Sequence, residues 1–210
     1  ELKKVADEKK GSSGEINLTL IAMLRYAGLP ADPVVISTRD HGSVRQEVPI
    51  SDQFNSVLVL SDYKGKKILL DATDKYLAME YLPQACLNGS GYVAAENNFR
   101  WVNLTEVPKT RNVMNLDLKA ESNGDLNGKI SFSKTGYEAR NAREKISKKG
   151  KSDYIREAFK EKTVVLKDTV MEDTDKINEA LKESYTMNLT EYVQVSGDVM
   201  YIDPMIFAKE

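Results

Sequence analysis

The sequence predicts an α+β protein: one strongly apolar helix stands near the start, strand-type runs follow it, and a clear hairpin opens the second half. Helices and strands are grouped rather than alternating, which argues against a parallel βαβ fold. The chain has 210 residues, 41% apolar and 30% charged, so it can bury a proper core in one or two domains.

Residues 2–10 carry Leu2, Val5 and Ala6 at helical spacing and read as the tail of a helix begun earlier. The chain is therefore expected to be an excised piece of a longer protein, with its core cut short at the N-terminus. Gly11 breaks that helix. Ser12 followed by Glu15 forms a Ser-x-x-Glu capping box and starts the next one. Ile16, Leu20, Met23, Leu24 and Ala27 make one apolar stripe, and Leu18, Ile21 and Ala22 fill much of the remainder. A helix apolar on most sides is expected to be buried within its domain. Gly28 and Pro30 end it.

Strands are expected at 33–37, 57–60 and 67–70, the last two joined through Lys64-Gly65, with a polar loop over 38–52. The region 76–107 reads as loop-rich, with turn signals at Asn88-Gly89 and Gly91 and short strands near 92–94 and 100–104. Pro108 marks the expected boundary between a core over 1–107 and a smaller β-rich α+β domain over 108–210, which can itself be cut short at its C-terminus. Beyond it Met114, Leu116, Leu118 and Ala120 alternate, Asn123-Gly124 turns, and Leu126, Ile130 and Phe132 return on the same parity, a hairpin pattern. Helices are expected at 136–149 and 152–162, then strands at 163–170, 181–189, 192–195 and 199–202.

Charge and composition exclude several functions. Thirty basic and 32 acidic residues give a net charge of −2, so no global field favours nucleic acid or an anionic membrane. The basic stretch 134–162 lacks stacking aromatics or a nucleic-acid motif and reads as a solvated helix face. One cysteine and one histidine leave no internal disulfide and no thiolate or imidazole metal centre, and no cofactor is expected. No apolar run reaches the roughly 18 residues a membrane span needs. The four Asn-x-Ser/Thr triplets, at Asn17, Asn88, Asn103 and Asn188, do not argue for glycosylation, and the ten tyrosines, scattered along the chain, read as packing residues rather than as a carbohydrate platform.

Three positions carry the candidate chemistry: Ser13 at the start of the apolar helix, Ser56 in Phe54-Asn55-Ser56-Val57, and Asp71 in Leu70-Asp71-Ala72-Thr73-Asp74. A nucleophile in the first turn of a helix gains from free amides and the positive end of the helix dipole. A base and an orienting carboxylate on neighbouring strands would complete a triad. These segments, with Gly-Ser-Ser-Gly-Glu-Ile-Asn-Leu over 11–18, Leu24-Arg25-Tyr26-Ala27-Gly28, Val35-Ile36-Ser37-Thr38-Arg39, Leu82-Pro83 and Cys86-Leu87-Asn88-Gly89, come in an order that resembles the transglutaminase-like branch of the papain fold. The resemblance is to the large bacterial, Bacteroidetes-type multidomain proteins, in which such a core is followed by a β-rich domain.

That resemblance implies a buried helix packed on antiparallel strands, with Cys at the Ser13 position, His at the Ser56 position, and Asp at Asp71. Only the aspartate matches. A serine hydroxyl needs a base within hydrogen-bond reach, and Ser56 cannot accept a proton to form a stable cation. His41, in the loop before Ser56, is the one imidazole that could be recruited; the plainer reading is an exposed loop histidine. Cys86 is expected to be a buried structural thiol rather than a displaced nucleophile. Ser13 is expected to help cap the helix, and Asp71 to accept hydrogen bonds from Thr73 or from turn amides.

The resulting expectation is a non-catalytic module serving as scaffold or binding element of a larger envelope protein. Its partners would be the rest of the parent chain and a peptide or other extended ligand in the cleft near Ser13, Asn55, Ser56 and Asp71. A weak hydrolase or transferase using Ser13 with a recruited base, and a purely architectural spacer, are the alternatives. A periplasmic or envelope location follows from the resemblance alone.

Overall fold

The computed structural model describes residues 5, 7–8, 10–48, 50–96, 99–160 and 164–203. Most of the expected opening helix, the end of the expected helix at 152–162 and the first residue of the strand after it lie outside them. The chain divides into two units, Glu1–Lys109 and Thr110–Glu210. Both are mixtures of helix and antiparallel sheet, an α+β architecture.

In the first unit, helix α1 (Ser13–Tyr26) begins at the N-cap Ser12, where both halves of the capping box are formed. Ser12 Oγ accepts from the Glu15 amide at 3.3 Å, and Glu15 Oε2 accepts from the Ser12 amide at 2.7 Å. The helix ends as its sequence dictates. Gly28 sits at φ 79°, its amide reaches the Arg25 carbonyl, and the Leu29 amide reaches that of Leu24. This is the six-to-one, five-to-two closure that a left-handed glycine permits.

Five strands follow: β1 (Ala31–Ile36), β2 (Ser56–Tyr63), β3 (Lys66–Leu70), β4 (Ser90–Val93) and β5 (Arg100–Asn103). They form one antiparallel sheet in the order β3-β2-β1-β4-β5. The first strand lies in the centre, paired on both sides, with Ala31, Val34 and Ile36 buried and the other three residues partly so. One face carries the main core, with Val34, Ile36, Leu58, Leu60, Val93 and Leu104 closed over by Leu82 and Cys86. Gly91, expected as a turn signal, lies within β4 instead. A Cβ there would come within 2.7 Å of Val34 Cγ1 and 2.9 Å of Ile36 Cγ2, so the core has room only for glycine.

On the opposite face α1 packs Ile21 onto Ala31 and Val59, flanked by Leu20, Leu24 and Leu70. The helix was expected to be enclosed, and here the structure corrects the sequence: only Asn17 and Ile21 are buried. Met23 is 65% and Tyr26 96% exposed, because the sheet receives one stripe and no described residue covers the other side.

In the second unit, β6 (Arg111–Ala120), β7 (Leu126–Thr135), β8 (Val164–Glu172) and β9 (Leu181–Leu189) form an antiparallel sheet in the order β6-β7-β9-β8. Burial alternates strictly along β9, the signature of a sheet covered on one face. Helices α2 (Gly136–Lys149) and α3 (Lys151–Ala158) cover that face through Ala139, Ala142, Tyr154 and Ile155. A small hairpin, β10 (Gln194–Ser196) with β11 (Val199–Tyr201), follows. The basic stretch 134–162 is not wholly a solvated face as expected: Arg143 is buried, and Lys134 is nearly so.

Candidate functional site

Ser13 and Ser56 meet. Ser13 opens α1, Ser56 opens β2, and their hydroxyl oxygens lie 3.0 Å apart in a hydrogen bond that either can donate. The Ser13 hydroxyl was expected to satisfy a local amide; that role belongs to Ser12 alone. The amides of Ser13 and Gly14 carry no hydrogen bond within the described residues, as first-turn amides normally do not.

Asp71 stands just past β3 and has its own partners. Its Oδ1 accepts from the Thr73 amide at 2.8 Å and from the Thr73 hydroxyl, the local arrangement expected from the sequence. Its Oδ2 accepts from Asn17 Nδ2 at 2.8 Å. Asn17 is the site residue that sequence reasoning overlooked. It is fully buried, one turn along α1 from Ser13, and its amide also donates to the Val57 carbonyl at 2.7 Å while its oxygen accepts from the Ala72 amide at 2.9 Å. Every polar atom of the side chain is therefore used. The signal was a single amide on the otherwise apolar stripe that ends in Ile21 and Leu24, since a polar group inside a core must be paired.

The remaining candidates do other work. Asn55 lines the groove, yet its side chain is committed to the loop: Oδ1 accepts from the Thr38 amide at 2.9 Å, and Nδ2 donates to the Thr38 hydroxyl at 2.7 Å. His41 is exposed, and its Nε2 lies 3.1 Å from the Asp52 carbonyl oxygen. It does not line the groove beside Ser13.

Cys86 is buried in the main core. Burial first, and the negative charge of Asp71 second, push its thiol up to about 12. Because the thiolate is the reactive species, the folded chain should release essentially no colour with Ellman's reagent at pH 8, and one thiol per chain after denaturation. Rapid reaction of the native protein would mean that Cys86 is accessible.

Around the serines lies a groove of about 620 Å³, within the range of small-ligand sites. Its base is a row of side chains taken one from each of four neighbouring strands: Val57, Val35, Tyr92 and Trp101, in direct register. The helix covers the sheet over β1 and β2 and leaves the β4 and β5 end of this row open. Trp101 and Tyr92 contact at 5.1 Å between ring centroids, with Phe54 6.3 Å from Trp101. Among the described residues no Asp, Glu, Lys, Arg or His lines the groove.

Fold and site thus define an α+β protein with antiparallel sheets and a neutral, hydroxyl-bearing groove at a helix start. No family model, curated protein or solved structure matches the chain. Among the described residues no cluster of potential ligands could hold a metal ion, and no helix is long and apolar enough to cross a membrane.

Proposed function

We propose that this chain is a degenerate transglutaminase-like module that binds or scaffolds within a larger envelope protein and performs no acyl transfer. The observation that carries the reading is the bonding at the three triad positions. Ser13 pairs with Ser56, which is no base, and Asp71 is committed to Asn17 and Thr73. An acyl-transfer site needs a nucleophile bonded to a base and a base oriented by a third group. Here the carboxylate bonds to an amide from the helix itself, so its role is to tie α1 to the segment after β3. What the corner retains is shape: a groove, two hydroxyls and aromatic walls.

The enzyme alternative requires a base at Ser13, and His41 is the sole imidazole in the sequence. Its ring lies against the Asp52 carbonyl oxygen, and His41 is not among the residues that line the groove beside Ser13. Turnover decides between the readings. Wild type and Ser13→Ala should be equally inactive towards glutamine-amide and p-nitrophenyl ester substrates; activity in wild type that is lost in Ser13→Ala overturns the proposal.

A further inference from the structure

We infer that the groove beside Ser13 and Ser56 is a subsite for a neutral saccharide. The inference rests on reading this corner as a binding groove and names the class of molecule it takes. Trp101, Tyr92 and Phe54 form a continuous aromatic wall, and Phe99 extends it into solvent, stacked on Tyr92 at 6.2 Å and 12° while itself 64% exposed. In the linear sequence these rings belong to three separate segments, and only the strand register gathers them. Partly exposed rings gathered at one groove, tilted at 37° and 60° between neighbours, offer apolar surface of the kind that packs on the C–H faces of pyranose rings.

The polar groups complete the match. At the foot of the wall the Ser13 and Ser56 hydroxyls satisfy only each other, and each can both donate and accept, as sugar hydroxyls do. Ser51 adds a third hydroxyl to the lining. With no charged side chain among the described residues of the lining, an ionic ligand would give up its water shell without gaining a counter-charge there. Three of the four strands beneath the row, β2, β1 and β4, are interior to the sheet, so its floor offers rings and hydroxyls rather than an open backbone ladder for a peptide.

Trp101 is the only tryptophan, so its emission reports the groove directly. Maltohexaose, cellohexaose, xylohexaose and chitohexaose should be titrated against the chain, beside a neutral capped Ala-Pro-Gly hexapeptide and an oligogalacturonate. The expected result is a saturable emission shift with at least one neutral hexasaccharide and none with the peptide or the anionic sugar. By calorimetry, Trp101→Ala should weaken that binding by more than about tenfold, and Phe99→Ala, whose exposed side chain can be removed with the circular-dichroism spectrum expected to stay unchanged, by about three- to tenfold. Saccharide binding unaffected by Phe99→Ala and Trp101→Ala overturns the inference by placing the sugar elsewhere. A shift with the peptide or the anionic sugar and none with a neutral sugar overturns the saccharide class while leaving a binding groove. Silence with every probe at millimolar concentration overturns both the saccharide and the binding-groove reading.

Discussion

Glu183→Ala should destabilise the second unit by about 3–5 kcal/mol, because it removes the acceptor from a buried charge cluster. Glu183 lies on β9, 2% exposed at its side chain, with Lys134 Nζ 2.6 Å from Oε1. The hydroxyl of Tyr154 donates to the same oxygen at 2.8 Å, and that of Tyr185 donates to Oε2 at 2.8 Å. Alanine would strand an ammonium and two phenols away from water, which costs far more than the pair contributes when intact. The double variant Lys134→Met/Glu183→Leu should therefore be distinctly more stable than Glu183→Ala alone. Amide hydrogen exchange in β7 and β9 measures this in the unit concerned; unchanged protection in Glu183→Ala would show that the cluster is accessible to water.

The same cluster sets an alkaline limit. Burial first, and the charge of Glu183 second, raise both phenols above their ordinary value of 10.0. Below that pH both folded and unfolded chains keep the protons, and the contribution is fully present. Above it the unfolded chain ionises while the folded one resists, so stability falls as pH rises. Tyr185→Phe should flatten that decline.

Arg143→Ala should cost about 2–4 kcal/mol and loosen residues 173–180, the connection between β8 and β9. From α2 the buried guanidinium donates to four backbone carbonyls: Nη2 to Asp173, Lys176 and Glu179 at 3.0, 2.8 and 2.7 Å, and Nη1 to Ile177 at 3.2 Å. Burial lowers its pKa, partly opposed by Asp173 and Asp175. Its Nε is buried without a partner among the described residues, so the arrangement is held by the fork of terminal nitrogens. Lysine keeps the charge but not the planar fork, and Arg143→Lys should recover less than half of the loss. Equal urea midpoints for wild type and both variants would contradict this.

What could be read from the sequence was local. The Ser12 capping box, the Gly28 stop and the Asn123-Gly124 hairpin are each set by a few adjacent residues, and each formed as expected. What could not be read depends on register and on burial at a distance. Nothing near Tyr92 announces that it will lie between Val35 and Trp101, because β4 pairs not only with its sequence neighbour β5 but also with the distant β1. Arg143 looked like one more charge on a basic helix until residues 173–180 closed over it. Asn17 was legible only as an anomaly, a single amide on an apolar stripe, and its bond to Asp71 required the turn after β3 to come back to the helix.

On the proposed reading, the Ser13 corner keeps the form of a catalytic site without a working nucleophile. Incubation with a fluorophosphonate probe, followed by intact-mass measurement and peptide mapping, tests it most directly. No mass increase over the untreated chain, the same outcome as for Ser13→Ala treated alongside, is the predicted result. A stoichiometric adduct on Ser13 that forms in the folded protein, and does not form in protein denatured before the probe is added, would contradict it.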